Sequence, residues 1–224
     1  MKALINKELK LGIHPSCYFA FLFPFMVFIP NYPLVVCFIF PLSLFPNVIL
    51  SLMSENNDLE FSLLMPIRKK DYVASKSFSF LFLELTTILI SVPLVLFRYF
   101  YMSASLENNP GLNNPLSLYA TLFIGYGLFN FLIFVIYFKT APKRIMAYLV
   151  AMFVTIFWLC FAGIIFAFIP GIGDSLNKDS GLVYQLIYFF IGLLLFIIMT
   201  ILTNFISVKE LESRNLWYGY CSFL

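Results

Sequence analysis

Six long apolar stretches, with nearly all the positive charge gathered at alternate junctions between them, constrain this chain more than any other feature. If each stretch crosses a bilayer, twelve of the fourteen Lys and Arg residues fall on one side. They are Lys2, Lys7 and Lys10; Arg68, Lys69, Lys70 and Lys76; Lys139, Lys143 and Arg144; and Lys209 and Arg214. The other side holds Arg98 and Lys178. Cytoplasmic loops collect Lys and Arg because positive flanks resist translocation. Both chain ends are therefore expected in the cytoplasm, with an even number of crossings between them. The expected fold class is all-α: a polytopic membrane protein of six transmembrane helices, with an N-terminal interfacial helix and a short cytoplasmic helix between spans 2 and 3.

Composition agrees. Of 224 residues, 62% are hydrophobic and 11% charged, where a soluble domain is about a quarter charged. The net charge of +3 sits at membrane flanks, which suits topology and anionic lipid rather than a nucleic-acid surface. Cys17, Cys37, Cys160 and Cys221 form no C-x-x-C pair, so neither a disulfide framework nor a zinc site is expected. His14 is the sole histidine and cannot build a multi-His catalytic metal set. The chain has no G-x-x-x-x-G-K-[ST], so it cannot cradle ATP phosphates by the P-loop route. Lys2, Lys7 and Lys10 ahead of an apolar run resemble a signal peptide, but Glu8 and the missing small-x-small cleavage site argue for a first span instead.

Residues 1–14 read as an amphipathic helix lying in the interface, with Leu4, Ile5, Leu9 and Ile13 on an apolar stripe and Lys7, Glu8 and Lys10 wet. Residues 15–53 hold spans 1 and 2. Span 1, about Pro15 to Ile29, is short against the ~20 residues that an α-helix needs to cross, and Pro24 is placed to kink it. Pro30-Asn31-Tyr32-Pro33 is an external turn. Span 2 runs from Leu34 to Met53 with Pro41 and Pro46 inside. Residues 54–76 form the longest polar cytoplasmic stretch. Residues 77–138 hold spans 3 and 4, Ser77 to Phe97 and Leu116 to Phe138, joined by an irregular external loop, Arg98 to Pro115. Residues 139–208 hold spans 5 and 6, Ile145 to Ile169 and Leu182 to Val208, with an external loop that opens at Pro170-Gly171-Ile172-Gly173-Asp174. In the tail, 209–224, Trp217, Tyr218, Tyr220 and Phe223 either lie at headgroup level or form a frayed end. The alternative topology folds spans 1 and 2 into a non-crossing hairpin, leaving four crossings. The two halves show no internal similarity, which weakens an inverted-repeat carrier.

The most informative segment runs from Glu55 to Asp71. Asn57 with Glu60 three residues on reads as a capping-box helix start. Leu59, Leu63 and Leu64 then share helical spacing, and Pro66 stops the helix. Asp71 caps the next helix, and Arg68, Lys69 and Lys70 hold it at the anionic leaflet. From these residues alone the segment is a short interfacial helix tied to two spans, and a plain connector with no partner satisfies it equally. Within the membrane, Glu84 lies eight residues beyond Lys76, about 12 Å of helix rise, and Asn130 lies nine residues before Lys139. Equal depth predicts a Glu84–Asn130 contact. An intramembrane carboxyl faces a bundle interior or a wet cavity; it is read here as a structural hydrogen bond, as a neutral acid beside Thr86 and Thr87, or as part of a transport path. Gly125 and Gly127 on span 4 are read as packing positions.

The segment Glu55-Asn56-Asn57-Asp58-Leu59-Glu60, with Leu63-Leu64, Met65-Pro66, Arg68-Lys69, Asp71-Tyr72-Val73 and Lys76, resembles the loop between spans 2 and 3 of bacterial ABC-2-type transporter permeases. The opening, Met1-Lys2-Ala3-Leu4 through Lys7-Glu8-Leu9-Lys10, is similar to the start of the same proteins. The resemblance implies a single transmembrane permease domain over 1–224, in a bacterial cytoplasmic membrane, with no catalysis and no cofactor of its own. It implies a coupling helix seated in a cleft of a separate ABC ATPase subunit, which carries the ATP and Mg. Glu55, Asp58, Leu59, Glu60, Leu63, Pro66 and Arg68 are the implied ATPase contacts, and Glu84 and Asn130 the candidate transport path. Six spans imply pairing with a second permease copy or a paralogue, in membrane lipid. Compact relatives include membrane subunits of peptide and toxin exporters such as the phenol-soluble modulin exporter, so an amphipathic or antimicrobial peptide is the expected cargo, ahead of a lipid or drug. Competing classes are a stand-alone carrier or channel, which needs ion-coupling residues within its spans; a membrane enzyme, which needs a clustered catalytic set; and a peptide-sensing or immunity protein without transport.

Overall fold

A computed structural model describes residues 2–29, 32–64, 67–102, 112, 114–140, 144–177 and 181–213. The described residues are helical, without strand. Eight α-helices follow in chain order: α1 (Lys2–Lys7), α2 (Leu34–Glu55), α3 (Asp58–Leu64), α4 (Lys69–Tyr101), α5 (Pro115–Thr140), α6 (Arg144–Phe168), α7 (Pro170–Asn177) and α8 (Leu182–Ser213). Between α1 and α2 lie a π-helix, Glu8–Gly12, and a 3-10 helix, Pro15–Phe28. Five helices (α2, α4, α5, α6 and α8) are long and apolar enough to cross a membrane. The N-terminal pair, with a 74° break between Leu4–Gly12 and Pro15–Phe28, has the geometry of a broken span or a re-entrant loop, and counts as a sixth crossing if it is one span. The protein is an all-α polytopic membrane protein.

The 3-10 winding answers the shortness of the first span. At about 2.0 Å rise per residue, fourteen residues reach ~28 Å, where an α-helix would reach ~21 Å. Three residues per turn also leave a straight outward stripe: Phe19, Leu22, Phe25 and Phe28 are exposed at intervals of three, while Cys17, Ala20, Pro24 and Val27 are buried. His14 caps this helix, its Nδ1 accepting from the Ser16 backbone N–H at 3.2 Å, and Pro15 takes the first position. Pro24 lies inside the helix.

Other elements differ from expectation. The N-terminal segment is helical over Lys2–Gly12, passing from α to π winding at Glu8, but Glu8 is not wet: it stands one turn after the buried Leu4 and is itself buried, while Lys10 is exposed. Asn57 stands directly before α3, and its carbonyl accepts from Phe61 N–H at 3.0 Å, as at a helix start. Its φ of 47° is left-handed, a conformation that Asn tolerates better than most residues. Helix α4 starts at Lys69 rather than Ser77, giving 33 residues and ~50 Å, well beyond a ~30 Å hydrocarbon core. Pro170-Gly171-Ile172-Gly173-Asp174 opens the short helix α7, not a loop; Pro170 fits because a first-turn residue has no helical N–H bond to lose. The Pro30-Asn31 turn, Pro66, the loop over 103–111 and the aromatic tail from 214 lie outside the described residues.

Helix α5 is the centre of the bundle. Two thirds of its apolar window is buried, against 28% for α6 and 17% for α8. It packs most extensively on α8 and next on α6, while the 3-10 helix packs against α2 and α4. Close approach to α8 is possible because glycines stand at the crossing. A Cβ on Gly127 would meet the backbone of Phe196 at 3.3 Å, and one on Gly192 would meet the Ala120 carbonyl oxygen at 2.7 Å. Phe123 fills the seam between them, against the rings of Phe189 and Phe196. The outward faces of α6 and α8 carry large apolar side chains, Phe153, Phe157, Phe190 and Phe205 among them, which suits a hydrocarbon surround.

Gly192→Ala should lower stability by about 1–3 kcal/mol, because the added methyl meets backbone that cannot swing away. Gly163→Ala meets nothing within 4 Å and should be neutral or slightly stabilising. Thermal unfolding in lipid nanodiscs compares the two; equal midpoints would contradict the packing described.

Candidate functional site

Four charged groups from three segments meet at the end of the bundle that carries α1 and α3. Asp58 is the first residue of α3; Lys7 ends α1; Glu8 begins the π-helix; Lys76 lies two turns into α4. The Asp58 carboxylate is the hub. Its Oδ1 accepts from Lys7 Nζ at 2.7 Å and from Ser62 Oγ at 3.3 Å. Its Oδ2 accepts from Tyr72 OH at 3.2 Å and lies 2.7 Å from Lys76 Nζ. Lys76 also donates to Glu8 Oε2 at 2.5 Å and sits 5.6 Å from the centre of the Tyr72 ring. Lys76 and Glu8 are only 2% and 1% exposed. Charges so far from water persist only when paired and hydrogen-bonded, and here two positive groups meet two negative ones. Burial works to raise the Asp58 carboxyl, but the Lys76 charge and the hydrogen bonds from Lys7 and Lys76 outweigh it and hold it at about 2, below the ordinary 3.8. Nearby, Lys69 Nζ donates to the Leu211 carbonyl at 3.0 Å, tying the start of α4 to the last turn of α8.

This geometry divides the residues expected to contact a partner. Asp58 turns inward and is engaged within the chain. Leu59 is partly buried and packs on the core. Glu55, at the end of α2, is exposed. Arg68 is exposed and pairs with Asp71, Nε to Oδ2, at 2.9 Å. Glu60 and Leu63 belong to the α3 backbone, and Pro66 lies outside the described residues. Among the described side chains of α3, Phe61 and Leu64 point outward, 61% and 82% exposed, and neither Phe61 nor the Lys7–Glu8–Lys76 set stood out as a site in the sequence. The usable signal was Lys76: a lysine seven residues inside a helix that starts at Lys69 needs a counter-charge.

A second polar cluster lies deeper. Asn130 Nδ2 on α5 donates to Glu84 Oε2 on α4 at 2.7 Å, the contact that equal depth predicts. Both side chains are buried. Along α4, Ser77, Glu84, Ser91 and Arg98 recur every seven residues and are all buried, so one stripe of the helix is polar throughout. Ser77 Oγ accepts from Asn204 Nδ2 at 3.4 Å, and Ser91 meets Tyr119 OH at 3.0 Å. Arg98 donates from Nη1 to the Val27 carbonyl at 2.8 Å and from Nη2 to Tyr32 at 3.2 Å. Arg98 is therefore no flanking charge: its guanidinium occupies the carbonyl end of the 3-10 helix, where a cation is favoured.

A family model, "ABC-2 family transporter protein", matches residues 3–212. The chain belongs to this family, and is a membrane-embedded transporter component of the ABC-2 class. No curated protein and no solved structure matches it.

The ion cluster predicts a pH signature. A carboxyl held at about 2 when folded and near 3.8 when unfolded contributes stability that is present above pH 4 and lost as pH falls towards 2, at most about 2 kcal/mol. Wild type minus Asp58→Asn, measured as thermal midpoint against pH, should show that loss between pH 4 and 2; a flat difference would contradict the paired state of Asp58.

Proposed function

We propose that this chain is the permease subunit of an ABC exporter, driven through α3 by a separate ATPase. The supporting observation is the division of α3 into two faces. Asp58 on one face is bonded to Lys7, Lys76 and Tyr72; Phe61 and Leu64 on the other are exposed. An exposed apolar pair, with the exposed charges of Glu55 before α3 and Arg68 after it in the chain, is the composition of an interface core with a polar rim. A force applied there reaches α4 through Lys76 and the N-terminal segment through Lys7. The α3 end is then the cytoplasmic side, in agreement with the distribution of Lys and Arg, and Pro66 and Glu60 complete the docking segment. ATP and Mg belong to the partner subunit. ATP binding there favours one arrangement of the spans over another, and transport follows as a population shift.

The cargo is an amphipathic peptide in this reading. The apolar cavity lined by Leu50, Met53, Phe80, Ile133, Phe134 and Tyr137 measures about 10 Å³, room for one water at most. A peptide route must therefore open elsewhere, and a second permease copy or a paralogue supplies the other wall. The bilayer is a bacterial cytoplasmic membrane.

Co-expression with candidate ABC ATPases and purification through a tag on this chain tests the reading. A stable complex with peptide-responsive ATPase activity is expected. Leu64→Asp together with Phe61→Ala should reduce co-elution and peptide-stimulated activity at least about tenfold, as for an interface anchor. Intact association in that double variant would overturn docking through α3.

A further inference from the structure

We propose that Glu84 and Asn130 form a proton-binding site within the bundle, in which a neutral Glu84 carboxyl donates from Oε1 to Asn130 Oδ1 while its Oε2 accepts from Asn130 Nδ2. One half of this exchange is present as the 2.7 Å bond from Nδ2 to Oε2. It leaves two atoms, Glu84 Oε1 and Asn130 Oδ1, buried without a hydrogen-bond partner. Both are acceptors when the carboxyl is ionised, so neither can satisfy the other. A single proton on Oε1 turns that oxygen into a donor and provides for both orphans at once.

Among the described residues, the polar groups near it along α4 and α5 supply no competing donor. Thr86 and Thr87 return their hydroxyl hydrogens to Phe82 and Leu83 carbonyls on their own helix. Tyr126, one turn before Asn130 on α5, directs its hydroxyl to the Phe38 carbonyl of α2 at 3.5 Å. Ser91, two turns further along α4, donates to Ile88 and meets Tyr119. Positive charge is remote. Lys76 lies two turns below and is held by Glu8 and Asp58; Arg98 lies fourteen residues above, ~21 Å along the helix, on the Val27 and Tyr32 carbonyls. Among the described residues, no ion pair includes Glu84. An ionised carboxylate in this setting has lost its water and gained neither a counter-ion nor a second donor. The neutral acid instead joins α4 to α5 by two reciprocal hydrogen bonds. The site thus takes one proton as its ligand, and that proton fastens the seam between the polar stripe of α4 and the central helix of the bundle.

Infrared spectroscopy of the full chain in phosphatidylcholine nanodiscs at pH 7 tests the assignment. The wild-type minus Glu84→Gln difference should contain the C=O stretch of one protonated carboxylic acid, and this band should shift downward in D2O. Gln reproduces the donor and acceptor of the neutral acid, so Glu84→Gln should keep the wild-type thermal midpoint to within about 2 °C. Glu84→Ala and Asn130→Leu should each lower it by about 4 °C or more. A difference spectrum that instead shows the paired carboxylate bands, from an ionised Glu84 hydrated by water, would overturn the proposal. So would Glu84→Gln falling as far as Glu84→Ala.

Discussion

The structure depends on a carboxylate that four donors share. Asp58 receives Lys7, Ser62, Tyr72 and Lys76, which come from α1, α3 and α4. Two of these elements, α1 and α3, are weak alone. Helix α1 has six residues and α3 seven, far below the ~12–15 that an isolated helix needs in water. Their positions are set by tertiary contacts, and among those the buried charges are the most demanding. A buried pair contributes little net stability over a well-packed apolar replacement, but removing one partner leaves a charge stranded, at about 3–5 kcal/mol. Such a cluster fixes geometry more than it adds stability. It holds α3 in one orientation, with Asp58 inward and Phe61 and Leu64 outward.

The N-terminal segment makes this arrangement reachable. Glu8 lies one helical turn beyond the buried Leu4, on the same inward face, and meets Lys76 there. The tighter 3-10 helix lets fourteen residues reach across an apolar layer and end beneath Arg98, whose guanidinium accepts the role of terminal cap at the Val27 carbonyl. The same chain segment thus touches both ends of α4, Glu8 at Lys76 and Val27 at Arg98. The 22 residue steps from Lys76 to Arg98 span ~33 Å, comparable to the hydrocarbon thickness. Helix α4 is in that sense a measuring rod, with a buried cation at each end.

What could be read from the sequence was whatever depends on hydropathy and depth. The apolar stretches became helices, and counting from Lys76 and Lys139 brought Glu84 and Asn130 to the same level, where they bond. Winding was not readable, because hydropathy does not distinguish a rise of 1.5 Å from one of 2.0 Å per residue. The burial of Glu8 was overlooked because the residue is charged, although it lies one turn from Leu4 on the inward face. The left-handed φ of Asn57 was not readable, because Asn serves both as a helix-starting cap and as a left-handed residue after a helix. Asp58 looked like surface because the pattern Asn-Asn-Asp-Leu-Glu is polar, while its two lysine partners lie 51 and 18 residues away along the chain. Membership of the ABC-2 family was carried by that same polar segment together with the opening residues.

The most direct test is a thermodynamic double-mutant cycle on Asp58→Asn and Lys76→Met, read as unfolding free energy of the full chain in nanodiscs. If the two groups satisfy each other in a buried cluster, each single change strands its partner, and the double variant recovers part of the loss. The expected coupling is at least about 1.5 kcal/mol. Additivity to within about 0.5 kcal/mol would mean that Asp58 and Lys76 do not act together, and α3 would then lack the anchor on which its orientation rests.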